Sequence, residues 1–149
     1  MKKLTLTFDQ LDICKGALPQ KDKSVQEIEV SRIVEYLTAE ERIILFNELH
    51  RILKKGGKLT LVTPHWCASK AYGDLRYQWP PVVEAWFYQT SKKWREENQG
   101  DTRLTCDFSC TWGYGMHHTL ISRNQEYQMQ AIQFWKEAAQ DLIATFTKN

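Results

Sequence analysis

The sequence predicts an α/β fold with a small, mostly parallel β-sheet flanked by helices. The segment "VQEIEV" at 25–30 resembles a strand, a helical pattern follows it, and the apolar segment "KLTLVT" at 58–63 resembles a second strand. Two strands that are joined by a helix usually lie parallel, with a right-handed crossover. The chain has 149 residues, so we expect one domain over residues 1–149.

The first elements are short. The segment "LTLTF" at 4–8 alternates apolar residues with threonine, which is typical of a half-buried strand. Glycine, proline and charged residues at 12–24 then indicate a loop that leads to the strand at 25–30.

The helix between the two strands is expected to begin at a capping box formed by Thr38 and Glu41. Its apolar residues recur at near-helical spacing: Ile43, Phe46, Leu49 and Leu53. Two lysines follow where the helix dipole favours cations, and Gly56 is expected to end the helix in the left-handed conformation.

The remaining elements are predicted from pattern and from proline positions. "KLTLVT" has apolar residues on both faces, as buried parallel strands do, and Pro64 ends it. We expect a helix after the proline pair in 80–99, a strand in 103–112, a helix over 123–142 and a last strand at 143–148. The face of the long helix is predicted from Ile132, Trp135, Ala139 and Leu142.

Composition excludes several classes of protein. Twenty basic and eighteen acidic residues give a net charge of +2, which makes nucleic acid or an anionic membrane an unlikely main partner. No apolar segment is long enough to cross a membrane and the amino terminus lacks a signal-peptide pattern, so we expect a cytoplasmic protein. Four scattered cysteines indicate reduced thiols rather than a disulfide scaffold.

The segment from "LPQKDKS" through "RILKKGGKLTLVTP" resembles the second half of class I S-adenosylmethionine-dependent methyltransferases. The matching residues are Leu18, Pro19, Glu35, Arg51, Leu53, Lys54, Gly56 and Gly57. The resemblance implies a partial Rossmann-like methyltransferase fold with S-adenosylmethionine as cofactor. It also implies that Asp12 and Ile13 meet the adenine and that Ser31 lines the methionine end of the cofactor. Glu35 follows the same strand at the ligand-binding edge and is the fourth candidate cofactor-binding residue.

The family's glycine-rich cofactor loop has no counterpart in the sequence. That loop follows the family's first strand, and only 24 residues precede the strand at 25–30, too few for the first two strands and their helices. The other Gly-x-Gly, "GYG" at 113–115, is interpreted as a turn because no clear helix follows it. The sequence therefore predicts a truncated domain that lacks the family's main cofactor-binding loop.

The loop after the strand at 58–63 is rich in aromatic residues. It would lie over the substrate side of the sheet, and its candidate substrate-binding residues are His65, Trp66, Tyr72, Arg76 and Trp79. Such residues line ligand pockets, but they also pack as a lid that buries apolar area. Both interpretations stay open.

The cysteines and histidines offer two further candidate sites, one for a metal ion and one for a nucleophile. Cys106 and Cys110 precede two adjacent histidines, but their sulfurs would lie about 13 Å apart along a strand, so buried thiols are favoured over a zinc site. Cys67 lies two residues after His65, which is a weak indication of a nucleophile.

Two functions follow from the sequence. The chain is either an S-adenosylmethionine-dependent methyltransferase-like protein that acts on a small molecule, or a truncated and inactive relative that serves as a binding or assembly module. Without the first strands of the family, the strand at 25–30 has an open edge. Either "LTLTF" covers that edge or a second chain does, and we expect a homodimer. Single-stranded nucleic-acid binding through the aromatic loop is a weaker alternative.

Overall fold

The computed structural model describes residues 2–149 and contains one five-stranded sheet. Its strands, in the spatial order β1-β2-β3-β5-β4, are β1 (Lys3–Leu6), β2 (Val25–Ser31), β3 (Leu53–Pro64), β4 (Phe108–Met116) and β5 (Ala139–Lys148). β1, β2 and β3 are parallel, whereas β5 is antiparallel to both β3 and β4. The α/β class is confirmed. Two of the four pairings are parallel where we expected a mostly parallel sheet, because the last two strands form an antiparallel pair.

The helices in residues 2–149 are α1 (Ala39–Ile52), α2 (Glu84–Phe87), α3 (Lys92–Asn98) and α4 (Gln125–Phe134). The helix expected in 80–99 is thus divided into α2, a 3₁₀ turn and α3. Within this described part of the chain, every helix is too short or too polar to span a bilayer.

The β2-α1-β3 unit has the predicted connection. Thr38 accepts a hydrogen bond from the backbone N–H of Glu41 at 3.2 Å, and the Glu41 side chain accepts one from the Thr38 backbone at 2.9 Å. The expected end of the helix was wrong, however. α1 ends at Ile52, so Gly56, with a φ of 73°, lies in an irregular stretch of β3 rather than at a helix cap. A Cβ on Gly57 would lie 2.8 Å from the Lys54 carbonyl oxygen, which explains a glycine there.

The two faces of the sheet differ. α1 and α2 pack on one face, where the ring centroids of Phe46 and Phe87 lie 5.3 and 5.2 Å from that of Phe146. Each such buried side chain stabilises the fold by about 2 kcal/mol. The opposite face is exposed or half-buried, with Lys58, Thr60 and Val62 in β3. The expectation that "KLTLVT" is apolar on both faces was therefore wrong, because only one face is covered.

The carboxyl-terminal region differs most from the sequence-based expectation. The helix predicted over 123–142 ends at Phe134, whose side chain is 74% exposed, and Glu137 has a φ of 67° that breaks the helical path. β5 then buries Leu142 and Phe146 in strand alternation. The segment "GYG" is not a turn but lies within β4, where a Cβ on Gly115 would approach the Asp141 side chain to 3.1 Å.

The edge of β2 is covered within the chain. β1 pairs with it in parallel register from Lys3 with Glu27 to Leu6 with Val30. Of the two ways to cover this edge, the structure has "LTLTF" in place, although the strand is one short element that ends at Leu6.

Candidate functional site

The carboxyl ends of β1, β2, β3 and β4 lie at the same edge of the sheet, together with the start of β5. Ligands of open α/β sheets bind outside such an edge. The edge has two parts that differ in their side chains. We call the part over β1 and β2 the first half, and the part over β3, β5 and β4 the second half.

The first half is filled by an aromatic cluster. The ring of Tyr36 lies 4.7 Å from that of Phe8 and 4.8 Å from that of Tyr77, and the Arg76 guanidinium lies 5.1 Å from the Phe8 ring centroid. The Tyr36 hydroxyl donates to Asp74 at 3.1 Å. We call these five residues the Tyr36 cluster. Burial, together with the neighbouring Tyr77 and Asp74, raises the pKa of Tyr36.

A buried arginine fixes the loop that supplies this cluster. Arg42 in α1 donates to the backbone carbonyls of Val34 at 3.0 Å, Pro80 at 2.6 Å and Gln78 at 3.3 Å. Burial lowers the pKa of Arg42 to about 10, against the opposing effect of Glu35. An arginine that binds three carbonyls across two elements gives no recognisable sequence pattern, so sequence reasoning missed it.

The four candidate cofactor-binding residues occupy different environments. The Asp12 side chain is 99% exposed with Lys15 at 3.9 Å, Ile13 is exposed, and Ser31 is half-buried at the end of β2. Glu35 is buried and its Oε2 accepts from the Thr63 hydroxyl at 3.3 Å, so its carboxyl group points toward β3. Burial raises the pKa of Glu35. Among residues 2–149, no hydrogen bond joins any two of these four residues.

An ion-pair group lies between the two halves. Asp141 in β5 accepts from Arg32 at 2.6 Å and from Lys70 at 2.8 Å. Arg32 follows β2 with a φ of 57°, and its backbone N–H donates to the Val62 carbonyl at 3.0 Å. This arrangement ties the end of β2 and the loop after β3 to the start of β5.

The second half contains a line of three polar side chains. The His65 ring is fully buried, with Nδ1 3.0 Å from the Cys67 sulfur and Nε2 2.8 Å from Glu84 Oε1. The Trp66 indole N–H donates to the other Glu84 oxygen at 3.2 Å. α2 therefore supplies a carboxylate to two residues of the aromatic loop.

The charge state of this group follows from its contacts. Burial alone would raise the pKa of Glu84, but the hydrogen bond from His65 and a backbone hydrogen bond lower it to about 2. Tyr114 of β4 packs edge-on against His65 at 5.4 Å. Burial and the nearby Glu84 raise the pKa of Tyr114 to about 12. At neutral pH the group thus holds one carboxylate beside an un-ionised phenol.

A cavity of about 290 Å³ adjoins this line of residues. Its lining consists of Trp66, Cys67, Tyr72, Ile132, Gln133, Phe134, Trp135 and Lys136. We call it the Cys67 cavity. The structure thus brings together the candidate residues Trp66 and Tyr72, while Trp79 lines a separate cavity with Tyr72 and Arg76 belongs to the Tyr36 cluster. His65 does not line the cavity but contacts Cys67, which does.

The other cysteines are apart from this site. Cys106 is buried before β4, with its sulfur 3.7 Å from the Thr90 carbonyl oxygen, and Cys110 is half-buried within β4. Throughout residues 2–149, no three His, Cys, Asp or Glu side chains lie close enough to hold a metal ion.

Comparison with known proteins places the fold. No protein-family model and no curated protein matches the chain by sequence. The structure is similar to a SAM-dependent methyltransferase from Archaeoglobus fulgidus, with a TM-score of 0.62 and 16% identity over 96% of this chain and 66% of that one. The chain therefore has a class I methyltransferase-like fold and spans slightly less than two thirds of the length of that protein.

Weaker similarities point to the same group of proteins and carry no argument by themselves. A chain in a complex between the Haloferax volcanii Trm112 methyltransferase activator and a methyltransferase gives a TM-score of 0.49 at 12% identity, covering 88% of this chain and 57% of that one. An S-adenosylmethionine-dependent methyltransferase from Mesorhizobium loti gives 0.48 at 15% identity, covering 88% and 65%.

Proposed function

We propose that this chain uses a methyltransferase-like fold as a binding module for a small, largely apolar molecule. The ligand binds in the second half, in the Cys67 cavity, and the chain by itself does not bind S-adenosylmethionine. The observation that supports this function most directly is the Tyr36 cluster, which fills the first half.

The first half is where the resemblance to methyltransferases would place the cofactor, because the cofactor of that family lies across the carboxyl ends of its strands. Here Phe8 lies two residues after the end of β1 and packs on Tyr36. Aromatic pairs contribute about 0.5–1.5 kcal/mol each beyond the area that they bury. A cofactor at this position would have to separate Phe8, Tyr36 and Tyr77 before it gained any contact, so the residues present do not fit it.

The second half has the features of a ligand site. At about 290 Å³, the Cys67 cavity is close to the smallest pockets that hold small molecules. Its walls include the aromatic side chains of Trp66, Tyr72 and Trp135, and Lys136 supplies a cation at the rim. A flat ligand of the size of a substituted benzene matches this lining.

Isothermal titration of the purified protein tests the proposal. Acetanilide, an aromatic amide, is expected to bind with a measurable heat, whereas S-adenosylmethionine and S-adenosylhomocysteine give none up to millimolar concentration. Micromolar binding of either cofactor would overturn the proposal, and so would the absence of acetanilide binding.

S-adenosylmethionine-dependent methyl transfer to a small molecule is the second candidate, and the methyltransferase-like fold favours it. In that case Asp12, Ile13, Ser31 and Glu35 would contact the cofactor, and the methyl acceptor would lie against Trp66, Tyr72, Arg76 and Trp79. The Tyr36 cluster would have to separate first. This function predicts cofactor binding that weakens at least tenfold in Ser31→Ala, whereas the binding module predicts no cofactor binding in either protein.

We also infer that two chains associate through the outer edge of β4. This strand has nine residues without proline or charge, and in residues 2–149 no strand pairs with its outer edge. Such edges are templates for strand pairing. Light scattering at micromolar concentration should give a dimer mass that falls to the monomer mass in Thr111→Lys. Thr145→Lys, its cross-strand partner on β5, should leave the dimer intact. A monomer mass for the unmodified protein would contradict this.

A further inference from the structure

Cys67, His65 and Glu84 have the geometry of a nucleophile, a base and a residue that orients the base. The sulfur lies 3.0 Å from Nδ1 of His65, and Nε2 on the other side of the ring lies 2.8 Å from Glu84. Activated thiols in proteins need these contacts, since a neighbouring base must take the thiol proton before the sulfur can attack.

The surrounding hydrogen bonds assign the protons. The backbone N–H of Cys67 donates to His65 Nδ1 at 3.2 Å, so Nδ1 carries a lone pair. Nε2 therefore carries the hydrogen and donates it to Glu84. The Cys67 thiol donates to the Ala139 carbonyl oxygen at 3.4 Å, so it must turn toward Nδ1, 3.0 Å away, before the imidazole can accept its proton. Glu84 then stabilises the imidazolium ion that results.

The other three cysteines are different in chemistry. Burial raises the pKa of Cys14 and of Cys106 to about 11 and that of Cys110 to about 12. Within residues 2–149, Cys67 alone has a hydrogen bond to an imidazole. It also lines a cavity, although its exposed fraction is only 9%.

We infer that Cys67 is a covalent acceptor for alkylating carbon electrophiles with an aromatic body, which bind in the Cys67 cavity and react with the thiol that His65 and Glu84 activate. This inference rests on the proposed function in one respect, since it uses the same cavity. In the reaction the thiol proton moves to His65 Nδ1, the sulfur forms a bond to the electrophilic carbon, and the bond from that carbon to its leaving group breaks. The leaving group departs with the electron pair of that bond. The imidazolium then returns its proton to solvent.

The local backbone favours alkylation over acyl transfer. Acyl transfer needs free N–H donors for the oxyanion that develops on the carbonyl. The N–H groups of Cys67, Ala68 and Ser69 are already engaged by His65 Nδ1, the His65 carbonyl and Glu137, respectively. Displacement at a saturated carbon develops no oxyanion and needs none of these donors.

Charged and titratable groups from several elements surround the thiol. Glu84 of α2 and Tyr114 of β4 face His65, while Lys136 lines the cavity and the Glu137 backbone N–H donates to the Cys67 carbonyl at 3.0 Å. The Glu84 carboxylate favours the imidazolium–thiolate pair through its contact with the His65 ring. Cys67 should thus react faster than Cys110, which has no imidazole partner in the described part of the chain.

The test measures the alkylation rate of each cysteine by peptide mass spectrometry, with 2-chloroacetamide and 2-chloro-N-phenylacetamide, from pH 5 to 9. At pH 7 Cys67 should react at least ten times faster than Cys110 with both reagents, despite its lower exposure. The phenyl reagent should gain at least a further factor of ten over its reaction with free cysteine, and Trp135→Ala should remove this gain. Equal rates at Cys67 and Cys110 would overturn the inference.

Glu84→Gln tests the positioning role of the carboxylate with little change in shape. The alkylation rate of Cys67 should fall about tenfold at pH 7, its pH profile should move to higher pH, and Glu84→Asp should restore part of the rate. An unchanged pH profile in Glu84→Gln would overturn the relay, even if the variant is less stable. Acetanilide lacks the leaving group, so its binding reports on the cavity separately. If acetanilide binds and Cys67 does not react, the inference fails while the proposed function stands.

Discussion

The two halves of the carboxyl edge use the same kind of side chain in opposite ways. Over β1 and β2, Phe8, Tyr36 and Tyr77 pack on one another and leave the edge filled. At the second half, Trp66, Tyr72 and Trp135 line a cavity of about 290 Å³. The loop after β3 therefore supplies side chains to both halves. Trp66 and Tyr72 line the cavity, whereas Tyr77 packs on Tyr36.

The difference comes from what holds the loop on each side. At the first half, Arg42 of α1 donates to three backbone carbonyls, two of which belong to the end of the loop, and so fixes the loop to α1. At the second half, Glu84 accepts hydrogen bonds from His65 and Trp66 and so fixes the start of the loop to α2. The different positions of Arg42 and Glu84 thus explain why the aromatic side chains pack together at the first half and line a cavity at the second half.

The largest effect is expected from opening the first half. Tyr36→Ala removes contacts with Phe8, Tyr77 and Asp74, and should lower the free energy of unfolding by about 2–3 kcal/mol in urea titrations. Tyr72→Ala is the control, since Tyr72 is exposed and outside the cluster, and should change stability by less than about 0.5 kcal/mol. Similar losses in both variants would mean that the Tyr36 cluster does not hold the first half closed.

The matching change in the second half should affect binding rather than stability. Trp135→Ala removes an exposed wall of the Cys67 cavity. The affinity for acetanilide should fall about tenfold, because one aromatic contact contributes about 1.4 kcal/mol to binding. Isothermal titration calorimetry measures the dissociation constant. Trp79→Ala, in the neighbouring cavity, should bind acetanilide normally, and an equal loss there would place the ligand elsewhere.

The boundary of the first half should show a pH effect from Glu35. Burial raises its pKa, so the folded state binds this proton more tightly than the unfolded state. The stability gained from protonation is complete below the unfolded pKa and is lost as pH rises toward the folded pKa. Glu35→Gln should therefore be more stable than the original protein at pH 7, with the gain vanishing near pH 4 in thermal unfolding scans. A constant difference across that range would contradict the assignment.

The smallest effect is expected at the border between the halves. Asp141→Asn weakens the ion pairs with Arg32 and Lys70, which are partly exposed, and should cost less than about 1 kcal/mol. Because salt screens such pairs, the difference measured in urea should shrink further at 0.5 M NaCl. A salt-independent loss would mean that the ion pairs do not account for the contribution of Asp141 to stability.

The sequence was sufficient for elements whose signals are local. The capping box of Thr38 and Glu41 predicted the start of α1, and the alternation of apolar residues with threonine predicted β1. The last strand, expected at 143–148, lies within β5, but the boundary before it was wrong because Ala139 and Leu142 fit a helical face after Ile132 as well as they fit a strand. The positive φ of Glu137, which separates the two elements, has no sequence signature.

The candidate site was predictable only in part, because only contacts between residues close in sequence could be recognised. Cys67 and His65 are close in sequence and were recognised as a pair, whereas Glu84 reaches them only because α2 folds back onto the loop. The Tyr36 cluster likewise combines residues from the turn after β1, the 3₁₀ turn before α1 and the loop after β3. Contacts between distant segments of this kind require the tertiary structure.

The most direct test of the central claim is a two-dimensional ¹H–¹⁵N NMR titration that observes both halves at once. Acetanilide should shift the indole resonances of Trp66 and Trp135 and leave the amides of Phe8, Ser31 and Tyr36 unchanged, while S-adenosylhomocysteine shifts neither group. Shifts at Phe8, Ser31 and Tyr36 on addition of S-adenosylhomocysteine would contradict the account, because they would show that the first half opens to the cofactor.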